Sequence, residues 1–181
     1  MKRYICTAIA TILLGAAPAV AELPVGATAP MFTTKGALAG KEFGFNLRAA
    51  LAKGPVVLYF YPKAFTQGCT LEAHAFAEAT PEFAKLGATV VGISNDDIAT
   101  LKRFSTEACR DKFAVASATA AIVDAYDVRL VRDGKDTGLT DRTSYVIGQS
   151  GKIVMVHSDL SYKDHVSVTL AAVKKLAHKH H

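Results

Sequence analysis

Apolar positions along the chain fall into short runs of two kinds, continuous and helically spaced. Pro55 to Tyr61 (PVVLYFY) is apolar without a break and rich in β-branched and aromatic residues. That composition predicts a central strand covered on both faces, which Pro62 ends. Ala88 to Ser94 (ATVVGIS) predicts a second buried strand. Between them, Leu71, Ala75, Phe76 and Ala79 stand near helical spacing, so Cys69 to Leu86 reads as a helix, with Pro81 predicted to interrupt it. Asp96 to Lys112 reads as another helix, with Ile98, Leu101, Phe104 and Ala108 on one stripe. Phe113 to Ala116 predicts a short strand and Ala120 to Tyr126 a short helix. Thr143 to Ile147 and Ile153 to His157 read as a hairpin about the turn Gln149 to Lys152. Ser161-Tyr-Lys-Asp164 resembles a capping box opening a last helix to about Ala177. Residues 22–50 are mixed and read as small strands and turns.

This order predicts an α/β protein with a central mixed β-sheet flanked by helices, a thioredoxin-like arrangement. A length of 181 residues with 50% hydrophobic composition suits one domain, assigned to residues 22–181. Residues 1–21 read as a cleaved secretory signal. Lys2 and Arg3 are the positive region, Ile5 to Gly15 the apolar run, and Ala19-Val20-Ala21 the small-x-small cleavage pattern. The expectation is an exported protein, in a periplasm, with no membrane span after cleavage. The formal net charge of +5 includes Lys2 and Arg3, and removing these two leaves +3. The remaining Lys and Arg are scattered, so nucleic acid is not an expected partner.

Cleavage after Ala21 removes Cys6 and leaves Cys69 and Cys109. Two cysteines in an oxidising compartment suit one disulfide, either static or redox-active. Cys69 falls where a strand and short loop give way to a helix. A thiolate is the nucleophilic form of cysteine, and unpaired N–H groups at a helix N-terminus favour it. Thr66, three residues earlier, holds the place of the first cysteine of a Cys-x-x-Cys motif. Its hydroxyl cannot form a disulfide, but it can hydrogen-bond a peroxide O–O group. No ligand-like spacing links His157 and His165, His74 reads as a solvent-facing helix residue, and no metal or organic cofactor is predicted.

Pro62, Thr66 and Cys69 match the Pro-x-x-x-Thr-x-x-Cys pattern, and the chain resembles the peroxiredoxin family. The longer stretch from Val57 through Glu72 is similar to its Q-type, or bacterioferritin-comigratory, branch, and the likeness runs from about Pro30 to about Leu176. The resemblance implies a thiol peroxidase acting on hydrogen peroxide and organic hydroperoxides. It implies Cys69 as the peroxidatic nucleophile, Thr66 as a hydrogen-bonding partner of the peroxide and Pro62 as a shield against water. Arg142, just before a strand, corresponds to the arginine that stabilises the thiolate and polarises the O–O bond, with Glu72 in a supporting role. Many Q-type members carry a resolving cysteine five residues after the first, where this chain has His74. Other members carry it in the next long helix, so the resemblance implies that Cys109 resolves Cys69 as an intramolecular disulfide, with local unwinding of one or both helices. The alternatives to that pairing are a single-cysteine mechanism with an external thiol and a disulfide between chains. The implied partners are a peroxide and a dithiol reductant of the thioredoxin or glutaredoxin kind, with the enzyme a monomer or weak dimer. The alternatives are an exported thioredoxin-like thiol–disulfide oxidoreductase, or a non-enzymatic module with a structural disulfide.

Overall fold

The unbroken apolar run before Pro62 lies near the middle of a seven-stranded sheet. In the computed structural model, which describes residues 22–178, the elements follow as β1 (Thr33–Leu38), β2 (Lys41–Asn46), α1 (Leu47–Leu51), β3 (Val56–Phe60), α2 (Gln67–Lys85), β4 (Thr89–Ser94), α3 (Ile98–Glu107), β5 (Ala114–Ser117), α4 (Ala120–Tyr126), β6 (Arg129–Arg132), β7 (Lys135–Thr140), β8 (Thr143–Ile147), β9 (Ile153–Ser158) and α5 (His165–His178). The large sheet has the order β2-β1-β5-β4-β3-β8-β9, and β6 and β7 form a separate hairpin. β3, β4 and β5 are parallel, while β8, β9, β1 and β2 run antiparallel to their neighbours. This is the mixed, thioredoxin-like sheet that the element order predicts.

β3 is buried at every residue because both faces are covered. Val57, Tyr59 and Tyr61 point into the cluster built with α2, α3 and α5. Val56, Leu58 and Phe60 point into the cluster built with α1 and α4. The aromatic residues account for much of the first layer: Tyr59 stacks on Phe76 with centroids 4.3 Å apart, and Tyr61 on Phe104 at 5.4 Å. Gly92 in β4 makes room for this layer, since a Cβ there would come within 2.8 Å of the Tyr59 ring.

Several boundaries differ from the sequence reading, each for a local reason. Pro81 does not interrupt α2, which runs through it to Lys85. Proline removes one helical N–H, but Ala73, Phe76, Ala77 and Phe83 are buried on both sides of it and hold the helix to the sheet. α3 is shorter than Asp96 to Lys112. It starts after Asp97, whose side chain accepts from the Thr100 N–H at 2.8 Å, and ends at Glu107. Arg110 and Asp111 both take the left-handed conformation, with φ of 52° and 58°, and the Asp111 N–H reaches back to the Ser105 carbonyl at 3.0 Å. That bond closes the helix C-terminus at a position where glycine is usual. Cys109 therefore lies in the closing turn, not in the helix. The proposed capping box does not open α5 either: the Ser161 N–H donates to Asp159 in the preceding loop, and α5 begins at His165. The short strand begins one residue later than predicted, at Ala114. The hairpin of β6 and β7 has no counterpart in the predicted elements. The secretory-signal segment and the last histidines, His180 and His181, lie outside the described residues.

Candidate active site

The strand register brings the two ends of the site together. β8 runs antiparallel to β3 with Phe60 opposite Thr143, so Arg142 stands beside the exit of β3, where the chain turns toward α2. The exit loop is pinned from below. The Ala64 N–H and the Ser94 hydroxyl both donate to Asp96 Oδ2, at 2.7 and 2.8 Å. The buried Thr140 hydroxyl donates to the Tyr61 carbonyl at 2.7 Å, tying the segment before Arg142 to the residue before Pro62. Pro62 is half-buried at this strand exit.

Thr66 is the N-cap of α2 in extended conformation, and its side chain makes no bond to the helix. Its hydroxyl instead donates to the Lys63 carbonyl at 2.9 Å, which leaves the oxygen lone pairs to accept. The first helical bond runs from the Thr70 N–H to the Thr66 carbonyl at 2.9 Å. The N–H groups of the first turn thus have no intrahelical partner, and Cys69 sits among them. Phe65 precedes Thr66 with φ of 63°; its exposed ring lies edge-on to Phe104 at 5.2 Å, with the Arg103 guanidinium 5.0 Å above it.

Arg142 joins these parts. One terminal nitrogen donates to the Cys69 sulfur at 3.4 Å, the other is paired with Glu72 Oε2, and Nε donates to the Leu160 carbonyl at 2.8 Å. Cys69 is 2% exposed, Arg142 6% and Glu72 fully buried. Gly68 lies beside the guanidinium, where a Cβ would sit 3.4 Å from Arg142 Nη2, at ordinary contact distance. A second layer lies behind Glu72. His165 Nδ1 is 3.8 Å from Glu72 Oε1 and 2.8 Å from the Ser144 hydroxyl, while its Nε2 is 2.9 Å from the Asp159 carbonyl. A carbonyl only accepts, so Nε2 carries the hydrogen and Nδ1 accepts from Ser144. Burial pushes the Glu72 carboxyl up to about 8, the Arg142 charge pulling it only part of the way back. Burial pushes His165 down to about 4, so its ring is neutral at ordinary pH.

The structure thus brings Cys69, Thr66, Pro62 and Arg142 to one place, with Glu72 between Arg142 and a buried histidine. Cys109 belongs to the same apolar cluster as Cys69, but both thiols are free. Burial, helped by the Asp111 charge, raises the Cys109 thiol well above its ordinary range. His74 is half-buried on α2. The sequence reading missed Thr140, Ser144 and the place of His165. Their spacing carries no motif, and only the pairing of β8 with β3 and β9, and the docking of α5, puts them here. Among the described residues no helix is long and apolar enough to cross a membrane.

A thiol in the first turn of a helix that has no side-chain cap bond, bonded by a buried guanidinium, stands at the centre of a scaffold that the chain shares with thiol peroxidases. The chain belongs to the AhpC/TSA family, which matches residues 25–156, and it is a peroxiredoxin of the Bcp/PrxQ-like kind. It is 28% identical to peroxiredoxin Bcp of Bacillus subtilis over 160 residues, covering 87% of this chain and 99% of that protein. It is 32% identical to the chloroplastic peroxiredoxin Q of Suaeda salsa over 167 residues, covering 87% of this chain and 71% of that one. Among solved structures, peroxidoxin BcpB of Mycobacterium tuberculosis superimposes with a TM-score of 0.74 at 32% identity, covering 84% of this chain and 97% of that one. The bacterioferritin comigratory protein of Xanthomonas campestris, described for its alkyl peroxide reduction activity, gives 0.70 at 31% identity, covering 79% and 91%.

Proposed function

We propose that this peroxiredoxin reduces hydrogen peroxide and organic hydroperoxides at Cys69 and forms a Cys69–Cys109 disulfide. The observation that carries this reading is the shared guanidinium of Arg142, which donates to the Cys69 sulfur at the open first turn of α2. The thiolate attacks the terminal peroxide oxygen, the S–O bond forms, the O–O bond breaks, and Cys69 becomes a sulfenic acid. Arg142 stabilises first the thiolate and then the charge that develops on the leaving oxygen. Thr66, its own hydrogen spent on Lys63, accepts from the peroxide O–H, and Pro62 limits water at the strand exit. The exposed Phe65 and Leu71, close to Thr66 and Cys69 in the chain, and the exposed Leu160, whose carbonyl accepts from Arg142, suit an organic substituent, as does the activity described for the Xanthomonas relative.

Condensation of the sulfenic acid with the Cys109 thiol gives the disulfide and water. Cys109 is fully buried and its thiol is held protonated, so it must leave its pocket first. The turn that carries it holds two consecutive left-handed non-glycine residues, Arg110 and Asp111, each costing about 1–2 kcal/mol. That strain favours local unwinding there. An external dithiol of the thioredoxin or glutaredoxin kind then reduces the disulfide. We assign the enzyme to an extracytoplasmic, periplasmic compartment, on the signal-like segment ending at Ala21, and treat it as a monomer or weak dimer.

Intact mass after one equivalent of hydrogen peroxide tests the pairing. Reduced wild type is expected to lose about two hydrogens within seconds, and Cys109→Ser to gain one oxygen on Cys69. The same loss of hydrogens in Cys109→Ser would sink Cys109 as the resolving thiol, and no change in either protein would sink the peroxidatic role of Cys69. Thr66→Val is expected to lower kcat/KM by about 10- to 100-fold through loss of the acceptor. A value within twofold of wild type would remove Thr66 from the reaction.

A further inference from the structure

Two segments beside the thiols take backbone conformations that L-residues avoid, and the last turn of α3 joins them. Phe65, directly before Thr66, has φ of 63°, and the turn after Cys109 has φ of 52° at Arg110 and 58° at Asp111. A non-glycine residue stays left-handed only where its surroundings hold it there. What holds Phe65 is its ring. Although the residue is 39% exposed, the ring lies edge-on to Phe104 at 5.2 Å, and the Arg103 guanidinium stands 5.0 Å above it.

Both contacts lead to the turn that carries Cys109. The Phe104 carbonyl accepts from the N–H groups of Ala108 and Cys109, each at 3.0 Å. Arg103 Nε donates to Glu107 Oε1 at 3.3 Å, on the last residue of α3. The Phe104 ring is fully buried and stacks on Tyr61, the residue before Pro62. The Ala64 N–H is tied to Asp96, just ahead of α3. The loop before Cys69 is thus fastened along α3, while the Thr66 side chain makes no bond to α2.

We propose that Phe65 is a positioning residue that latches the loop before Cys69 to the turn holding Cys109, so that the two segments open together. The part it plays in catalysis rests on Cys109 being the resolving thiol. Cys109 cannot leave its pocket without breaking its N–H bond to the Phe104 carbonyl. Once the last turn of α3 loosens, Phe104 no longer seats the Phe65 ring, and Phe65 relaxes out of the left-handed region. That relaxation frees the first turn of α2, which carries Cys69. The sulfenic acid and the thiol can then meet. The S–S bond forms, the S–OH bond breaks, and the oxygen leaves as water with its own hydrogen and that of the Cys109 thiol. Until then the latch keeps Cys109 shut away and Cys69 beneath Arg142, where attack on the peroxide takes place. Coupling between two segments is reciprocal, so loosening Phe65 must also loosen the Cys109 turn.

Amide hydrogen exchange of the reduced protein tests the latch without peroxide. Phe65→Ala is expected to speed exchange at Cys109 and Asp111 by about 2- to 12-fold, the worth of one aromatic pair, although both lie more than 40 positions along the chain. Arg103→Ala should speed it by about 2- to 5-fold, the worth of one exposed cation–π contact. Phe65→Tyr keeps the ring and should stay within about twofold of wild type, and the amides of the β6–β7 hairpin should not respond to any of the three. In a single turnover, the step from sulfenic acid to disulfide should quicken in Phe65→Ala by the same factor as the exchange. Unchanged exchange at Cys109 and Asp111 in both alanine variants overturns the latch. An equal rise in the hairpin overturns it too, because that marks a general loss of stability. Faster exchange with an unchanged disulfide step overturns the part given to Phe65 in resolution. Faster exchange in Phe65→Ala, with no Cys69–Cys109 disulfide in oxidised wild type, upholds the latch and overturns the resolving role of Cys109 alone.

Discussion

Cys69→Ser protein is expected to lose peroxide reduction by about 10⁴-fold or more while keeping its fold. Sulfur and oxygen differ little in size, and position 69 is buried under a guanidinium, so the packing around it survives. The chemistry does not. A serine hydroxyl does not ionise under conditions where one Arg142 and one helix N-terminus can hold a thiolate. The hydroxyl oxygen is also a far poorer nucleophile toward an O–O bond. Stopped-flow peroxide consumption with excess dithiol, alongside a thermal melt, separates the two effects. Activity within tenfold of wild type would place the nucleophile elsewhere, and Cys109 would be the remaining thiol among the described residues. Cys109→Ser provides the contrast, since its first turnover should keep the wild-type rate and only resolution should fail.

The parts of this site that could be read from the sequence are those set by local chain geometry. A continuous apolar run, a proline, and a cysteine seven residues after it already place a thiol at a strand-to-helix junction. The residues that could not be read are those that the sheet brings in. Ser144 is an unremarkable polar residue in an apolar strand until the β3–β8 register sets it opposite Tyr59, on the face that α2 and α5 cover. His165 lies 96 positions from Cys69 and reads as the start of an amphipathic helix.

Other differences arose where local signals competed. The apolar stripe of α3 continues as far as Ala108, but the chain has already turned left-handed by Arg110, so periodicity overran the helix by about a turn. The hairpin of β6 and β7 did carry a signal. Asp133-Gly134, with φ of 49° and 72°, is the dipeptide that two-residue hairpin turns favour. Its strands are short and charged, with little apolar alternation, so the pattern of apolar positions does not mark them. The hairpin matters to the site because Thr140, its last residue, clamps the Tyr61 carbonyl.

Arg142→Met is expected to separate catalysis from stability. Loss of the guanidinium should lower kcat/KM by about 10²- to 10³-fold, the scale for removing one preorganised donor. It also leaves Glu72 without its counter-charge. Breaking a buried pair costs about 3–5 kcal/mol if the remaining charge stays in place. Glu72 avoids that cost by holding a proton. Its folded-state pKa is already raised to about 8 in the wild type, and removing Arg142 raises it further. A carboxyl raised on folding loses stability as pH rises from its unfolded pKa to its folded one, because the folded state binds the proton more tightly. Below pH 8 both proteins keep Glu72 protonated, and the penalty of the substitution should be small. Above pH 8 the wild type levels off while the variant keeps losing stability, by up to the full cost of the unpaired charge. For a chain of this size each 1 kcal/mol lowers Tm by about 2–4 °C, so melts at pH 7 and pH 9.5 should show the divergence. The double variant Arg142→Met with Glu72→Gln removes the stranded carboxylate. It should recover the alkaline stability and none of the activity. A penalty independent of pH, or a double variant no more stable than Arg142→Met at pH 9.5, would show that the guanidinium holds the fold by packing and not by balancing a buried charge.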